Sequence, residues 1–311
     1  MSHEVLCLRP ESDFQRAGAL PPATLNVTYR NPDDPQLAEH IRSAHALVIP
    51  AVGGKIPHSL FEGCQVKLVQ VTGAGVDRLD EHAMKRLGIA VANVPGGSNS
   101  AVAQYAVTAA LVLLRRFVWA DAEIREGGYV SFRGRMIADH LCGLEGLTVG
   151  IVGLGTVGMA VAEAFHKFGS HIVYHDPGTP DATAVARIGA KAMALDDLLK
   201  ESDVVTLHVP LLPQTRSMIN AARGGIVQET ALAAYLNSGH LGGAAVYVYS
   251  VEPPDTDNPL FALEGEGARR VLFTPHIAGV TRQSSATLFS EAWANVERVL
   301  VKGQPPLHRV Y

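Results

Sequence analysis

Residues 147–158 read Leu-Thr-Val-Gly-Ile-Val-Gly-Leu-Gly-Thr-Val-Gly. An apolar run rich in β-branched residues passes straight into glycines at 153, 155 and 158, and a helical pattern follows over 157–168. A buried strand that turns this tightly into a helix belongs in a parallel α/β sheet covered on both faces. Each glycine has its own task. Gly153 allows the tight turn, Gly155 lets the backbone come close to a pyrophosphate, and Gly158 lets helix and strand pack closely. The helix N-terminus adds free N–H groups and partial positive charge. Asp176 ends the next apolar segment, 18 residues after Gly158. A carboxylate there accepts from a ribose 2′-hydroxyl and repels a 2′-phosphate, and Pro177-Gly178-Thr179 brings no arginine to offset it. The pattern implies a bound dinucleotide, NAD in preference to NADP.

The same alternation fills the N-terminal third, with strands expected over 5–8, 25–29, 46–50, 67–72 and 89–93 and helices over 35–43 and 78–87. A long helix is expected over 99–126. Ser98, Asn99 and Ser100 offer N-cap oxygens, Gly127-Gly128 stops it, and its length suits a connector between domains. A loop is expected over 129–140. A second alternation follows: strands 148–152, 171–175 and 204–209, helices 157–168 and 195–202, and a last helix over 284–301. With 311 residues this gives an α/β protein of two domains. Charged residues at 18% beside 47% apolar exclude disorder, and a net charge of −4 without a basic block argues against nucleic acid. The apolar stretch 101–114 contains Gln104 and stops at Arg115-Arg116, short of the ~20 residues a membrane span needs. A buried helix and no membrane partner are expected. Cys7, Cys64 and Cys142 form no CxxC pair, and the N-terminus shows no signal-peptide pattern, so a reducing cytoplasm is expected.

Three titratable residues stand beside strand ends: Arg223 in Ala-Ala-Arg-Gly-Gly, Glu252 before two prolines, and His276 in Thr-Pro-His-Ile-Ala-Gly. Open α/β sheets bind ligands at such ends. Reducing a ketone by hydride leaves an alkoxide that needs a proton, which an imidazole can give. A neighbouring glutamate fixes the imidazole tautomer, and an arginine grips a carboxylate with two hydrogen bonds. Taken singly, each has a plainer reading as a surface ion pair, a solvated loop residue or a turn histidine. His171 and His175 would lie about 13 Å apart on a strand, too far to share a metal, and no metal site is expected.

In order along the chain, these segments resemble the D-isomer-specific 2-hydroxyacid dehydrogenase family. The resemblance runs through VTGAGVDRLD (71–80), GIAVANVPGGSNSAVAQYA (88–106), LEGLTVGIVGLGTVG (144–158), LDDLLKESDVVTLHVPLLPQTR (195–216), AARGGIVQETAL (221–232), EPP (252–254) and TPHIAGVT (274–281). It implies two Rossmann-like domains with a cleft between them: a flavodoxin-like substrate domain, 1–98 with 284–311, and a doubly wound NAD-binding domain, 99–283. It implies Arg223, Glu252 and His276 as catalytic residues, with Ala74, Gly75, Arg223 and His276 on the substrate. Gly153, Gly155, Thr156, Val157, Gly158, Asp176, Val209, Pro210, Thr215, Ala222, Arg223, Tyr247, His276 and Gly279 would meet NAD. It further implies a small 2-oxoacid or 2-hydroxyacid substrate, glyoxylate or hydroxypyruvate among them, and a homodimer. The short tail fits the forms without a regulatory domain. Glu252 in place of glutamine favours a hydroxyacid enzyme over the related formate dehydrogenases.

Two positions depart from the family pattern. Between Thr215 and Arg223 the chain is shorter by roughly 15 residues, about one crossover helix with its loops. Either the sheet rearranges with 218–220 still filling the strand before Arg223, or that strand is lost, or a segment is absent from the sequence. Tyr247 stands where the family usually has aspartate near the nicotinamide, so its ring either swings away or crowds the site. Gln104 replaces a frequent glutamate. The departures leave a second reading open: a dinucleotide-binding sensor or interaction protein with little turnover.

Overall fold

The computed structural model describes residues 3–210 and 225–311. The chain divides into two compact units, Met1–Ser98 with Val280–Tyr311, and Asn99–Gly279.

The first unit is a five-stranded parallel sheet of order β2-β1-β3-β4-β5. Its strands are β1 (His3–Cys7), β2 (Leu25–Tyr29), β3 (Ala46–Ile49), β4 (Leu68–Val71) and β5 (Ala90–Ala92). This is the flavodoxin-like order. Every residue of β3 and β4 is buried, as expected for central strands covered on both faces. The crossovers carry α1 (Glu11–Ala17), α2 (Leu37–Ser43) and α3 (Glu81–Leu87). Asp80 caps α3 by accepting from Ala83 N at 2.9 Å, and Gly88, at φ +69°, ends it. The C-terminal helix, Arg282–Leu300, returns to this unit. Thr281 and Ser284 cap it reciprocally, each hydroxyl accepting from the other's backbone N–H at 3.1 Å. Its Phe289 and Trp293 pack on Phe14, with ring centroids 4.7 and 5.0 Å apart. Asn295 donates to the buried Gln70 Oε1 at 2.6 Å and accepts from Leu307 N at 2.7 Å, pinning helix and tail to the middle of the sheet.

The second unit begins with α4 (Asn99–Leu114), α5 (Phe117–Arg125) and α6 (Tyr129–Ala138). The single helix expected over 99–126 is two helices bent by 50°. Arg116 takes a left-handed φ of +51° at the break, and its guanidinium pairs with Asp139. The loop expected over 129–140 is mostly the helix α6. Gly134 and scattered charge hide its pattern, while tertiary contacts hold it: Phe132 edge-on to Trp119 at 5.6 Å, and Arg135 paired with Glu123 at 3.0 Å. Among the described residues no single helix is long and apolar enough to cross a membrane; the bent pair reaches that length only jointly.

A parallel sheet of order β8-β7-β6-β9 follows. It is built from β6 (Thr148–Val152), α7 (Thr156–Lys167), β7 (His171–His175), α8 (Ala182–Arg187), β8 (Lys191–Ala192), α9 (Leu195–Glu201) and β9 (Val204–Leu207). Counted within the unit, this is the 3-2-1-4 order of a dinucleotide-binding half. Ala103, Val107 and Ala110 of α4 share a core with Val161, Ala162 and Phe165 of α7 and with Val149 and Ile151 of β6. After the undescribed stretch come α10 (Glu229–Ser238), β10 (Ala244–Val246), α11 (Gly265–Arg269) and β11 (Val271–Phe273), with β10 and β11 paired in parallel. The shortened stretch before Arg223, with the strand expected there, lies outside the described residues.

Candidate active site

The turn between β6 and α7 has the geometry its glycines require. Gly153, at φ +89°, donates its N–H to His175 O at 2.8 Å. A Cβ on Gly153 would lie 2.7 Å from both His208 O and Val209 Cγ1, and one on Gly158 would lie 1.9 Å from Gly153 O. A Cβ on Gly155 would meet nothing within 4 Å. The turn is thus packed on the protein side at Gly153 and Gly158 and open at Gly155, where α7 starts without a side-chain cap on its first-turn N–H groups. Asp176, just past β7, accepts from Leu154 N at 2.6 Å and Gly178 N at 2.7 Å. The two backbone donors fix the carboxylate beside the turn, and each oxygen keeps capacity for a further donor. An open cradle, an uncapped helix N-terminus and an oriented carboxylate fit a dinucleotide. Thr156 and Val157 are the first residues of α7, and Asn99 donates to Thr156 O at 3.1 Å.

His208 escaped the sequence reading. It leaves β9 half-buried, donates its N–H to Val152 O at 2.7 Å, and sets Nε2 2.9 Å from Thr206 Oγ1. Burial pushes its imidazole down to about 4. The signal available in the sequence was its place in Leu-His-Val-Pro at the end of an apolar strand.

The second cluster grows from the ends of β10 and β11. His276 adopts φ +51° and donates its backbone N–H to Tyr247 O at 2.8 Å. Its Nδ1 lies 3.0 Å from Glu252 Oε2 and 3.2 Å from Oε1. A carboxylate only accepts, so Nδ1 carries the hydrogen and Nε2 is left to act. Glu252 Oε1 also accepts from Tyr249 N at 3.2 Å. The two side chains remain partly accessible, 25% for His276 and 28% for Glu252.

Tyr247 is buried, with its ring between two others: Tyr105 at 5.3 Å and His276 at 5.5 Å, the latter at 82°. Tyr105 Oη is 2.8 Å from Thr274 Oγ1, and Tyr249 donates its hydroxyl to Thr274 O at 3.4 Å. Glu252, His276 and Tyr247 are therefore brought together, as are Gly153, Gly155, Gly158, Asp176 and Val209, all within the second unit. Pro210 follows Val209 at the surface, and Gly279 is half-buried at the end of the unit. Ala74 and Gly75 lie in the first unit, in the loop after β4, where Asn93 donates to Ala74 O at 2.7 Å. Thr215, Ala222 and Arg223 lie outside the described residues. No group of three metal-ligating side chains occurs among the described residues.

Residues 107–278 match the D-isomer specific 2-hydroxyacid dehydrogenase, NAD binding domain. The chain belongs to this family. It is 36% identical over 234 residues to the D-3-phosphoglycerate dehydrogenase of Archaeoglobus fulgidus, covering 70% of this chain and 42% of that protein. It is 30% identical over 295 residues to the glyoxylate reductase of Aeropyrum pernix, covering 89% and 86%. A crystal structure of a Thermus thermophilus protein superposes with a TM-score of 0.82 at 29% identity, over 99% of this chain and 100% of that one. The chain spans about half the length, 42–51%, of the phosphoglycerate dehydrogenases it matches. The 2-hydroxyacid dehydrogenase motifs seen in the sequence thus carry the α/β fold with them.

Proposed function

We propose that the chain is an NAD-dependent oxidoreductase interconverting a short 2-oxoacid and its D-2-hydroxyacid. The observation that carries this is the His276–Glu252 pair, at 3.0 Å, in the same unit as an open dinucleotide turn. The cofactor, when bound, supplies or accepts the hydride at the substrate's C2. Gly155 and the start of α7 hold its pyrophosphate, and Asp176 selects the 2′-hydroxyl of NAD over the phosphate of NADP. In the reducing direction His276 Nε2 gives its proton to the carbonyl oxygen as C2 becomes tetrahedral. Glu252 keeps the imidazole oriented from Nδ1. Arg223 grips the substrate carboxylate, with backbone N–H groups at Ala74 and Gly75. The unit Met1–Ser98 with Val280–Tyr311 serves the substrate and Asn99–Gly279 the cofactor. The likeness to a glyoxylate reductase supports glyoxylate as substrate, with hydroxypyruvate a second short acid to test. The free cysteines Cys7, Cys64 and Cys142 suit a reducing cytoplasm, and exposed apolar side chains on α5 and α6 suit a homodimer.

The test follows NADH absorbance with purified protein and a panel of glyoxylate, hydroxypyruvate, pyruvate and phenylpyruvate. Turnover of at least one acid is expected. His276→Ala should lower the rate by ~10²–10⁴-fold while NADH still binds. An unchanged rate in that variant removes His276 as the proton donor. NADH binding without turnover of any acid leaves the sensor reading.

A further inference from the structure

We propose that Asn93 is a positioning residue that aims the backbone N–H of Gly75 at the substrate carboxylate, a role resting on the 2-oxoacid function proposed above. Among the described residues no group accepts from the N–H of Ala74 or of Gly75. Gly75 is half-buried, and a backbone donor spare in such a place suits an anion. A spare donor recognises a ligand only if it keeps one direction. The loop cannot supply that direction alone, because β4 ends at Val71 and α3 starts only at Glu81.

The two residues that follow β5 supply it. Val94 donates its N–H to Gly73 O at 3.0 Å, and Asn93 donates Nδ2 to Ala74 O at 2.7 Å. Both loop peptides are trans, so each carbonyl oxygen stands opposite the next residue's N–H in one plane. Holding Gly73 O toward Val94 turns the Ala74 N–H away from that segment. Holding Ala74 O toward Asn93 turns the Gly75 N–H away likewise. Two successive N–H groups turned to one side make an anion-binding concavity. The two holds differ in kind. Val94 acts through its backbone, whereas the Ala74–Gly75 peptide depends on a side chain that can be changed. Asn93 is itself fixed: its N–H reaches His308 O at 3.3 Å, in the tail whose Arg309 bridges to Ala92 of β5.

The experiment uses two uncharged variants, so that no new charge faces the acid. Asn93→Leu keeps the branched shape without the donor, and Asn93→Ala removes the side chain beyond Cβ. In weakly aligned 15N-labelled protein, the N–H dipolar coupling of Gly75 reads the direction of that bond. It should change in both variants while the couplings of β3 and β4 stay native. With a turned-over acid, both variants should raise KM by ~10-fold or more at native kcat, because a grip on the carboxylate is shared by ground state and transition state. NADH affinity should stay native, since Asn93 hydrogen-bonds none of the residues assigned to the cofactor. A native Gly75 coupling or a native KM in both variants overturns the proposal. So does a KM rise matched by an equal loss of NADH affinity, the mark of a damaged fold. If the native chain turns over none of the acids, the proposed function falls, and the Gly75 coupling alone decides whether Asn93 aims this donor.

Discussion

His208 leaves β9 with its N–H given to Val152 O and its Nε2 beside the Thr206 hydroxyl, at 2.7 and 2.9 Å. Burial lowers its pKa from 6.5 to about 4, so the folded protein holds it neutral where the unfolded chain would charge it. The sign follows by linkage. Between these two values the unfolded state binds more protons, so the stability from His208 is fully present above about pH 6.5 and is lost as pH falls toward 4. His208→Gln keeps a polar partner for Thr206 without a titrating group. Urea midpoints at about pH 7 and about pH 5 should therefore differ less in the variant than in the native protein. An identical pH dependence would show that His208 is protonated at no cost. The place of His208 at the end of an apolar strand was legible, but its lowered pKa was not, because its burial is created by elements distant in sequence. Gly153, Asp176, Glu252 and His276 were legible because their chemistry is written in short local patterns.

The glycines of the β6–α7 turn divide into two kinds, one serving the fold and one serving the ligand. A methyl group at Gly158 would sit 1.9 Å from Gly153 O, a backbone atom that cannot turn aside. Gly158→Ala should push α7 off β6 and lower stability by about 1–3 kcal/mol or more, with NADH binding lost. Gly155, at φ −69° with open space beyond its Cα, accepts a methyl group without strain. Gly155→Ala should melt like the native protein and bind NADH more weakly, because the methyl group occupies the pyrophosphate's approach. Thermal melts beside NADH fluorescence titrations check both; native NADH affinity in Gly155→Ala would place the phosphates elsewhere. Strands β3 and β6 were legible because burial on both faces leaves a continuous apolar run, and β4 because only Gln70 interrupts one. The break at Arg116 and the helix α6 were not. Each depends on side-chain contacts between consecutive helices, Arg116 with Asp139 and Phe132 with Trp119, that no local periodicity reports.

At the scale of the whole molecule, exposed apolar side chains gather on two consecutive helices. Phe117, Val118 and Ile124 of α5 and Tyr129, Val130 and Ile137 of α6 are all exposed, Val130 by 82%. Scattered exposed apolar residues are ordinary, whereas six on adjacent helices mark a surface that gains by being covered. Most charges on and beside these helices are engaged within the unit, Arg125 with Asp121, Arg135 with Glu123, and Arg116 with Asp139, which leaves the exposed Arg133 of α6 as an exception. Covering the apolar side chains therefore leaves few unpaired charges to desolvate, the condition that favours a stable interface of about 1,600 Å². A second copy of the chain is the occupant expected, so light scattering should give twice the 33.1 kDa chain mass. Val130→Glu places a carboxylate at the most exposed of the six positions. It costs nothing in a monomer, so its melting behaviour at high dilution should be native, while the dimer should weaken by ~10-fold or more because the charge would be buried unpaired. A native protein that scatters as 33.1 kDa at every concentration would leave this face uncovered by its own kind.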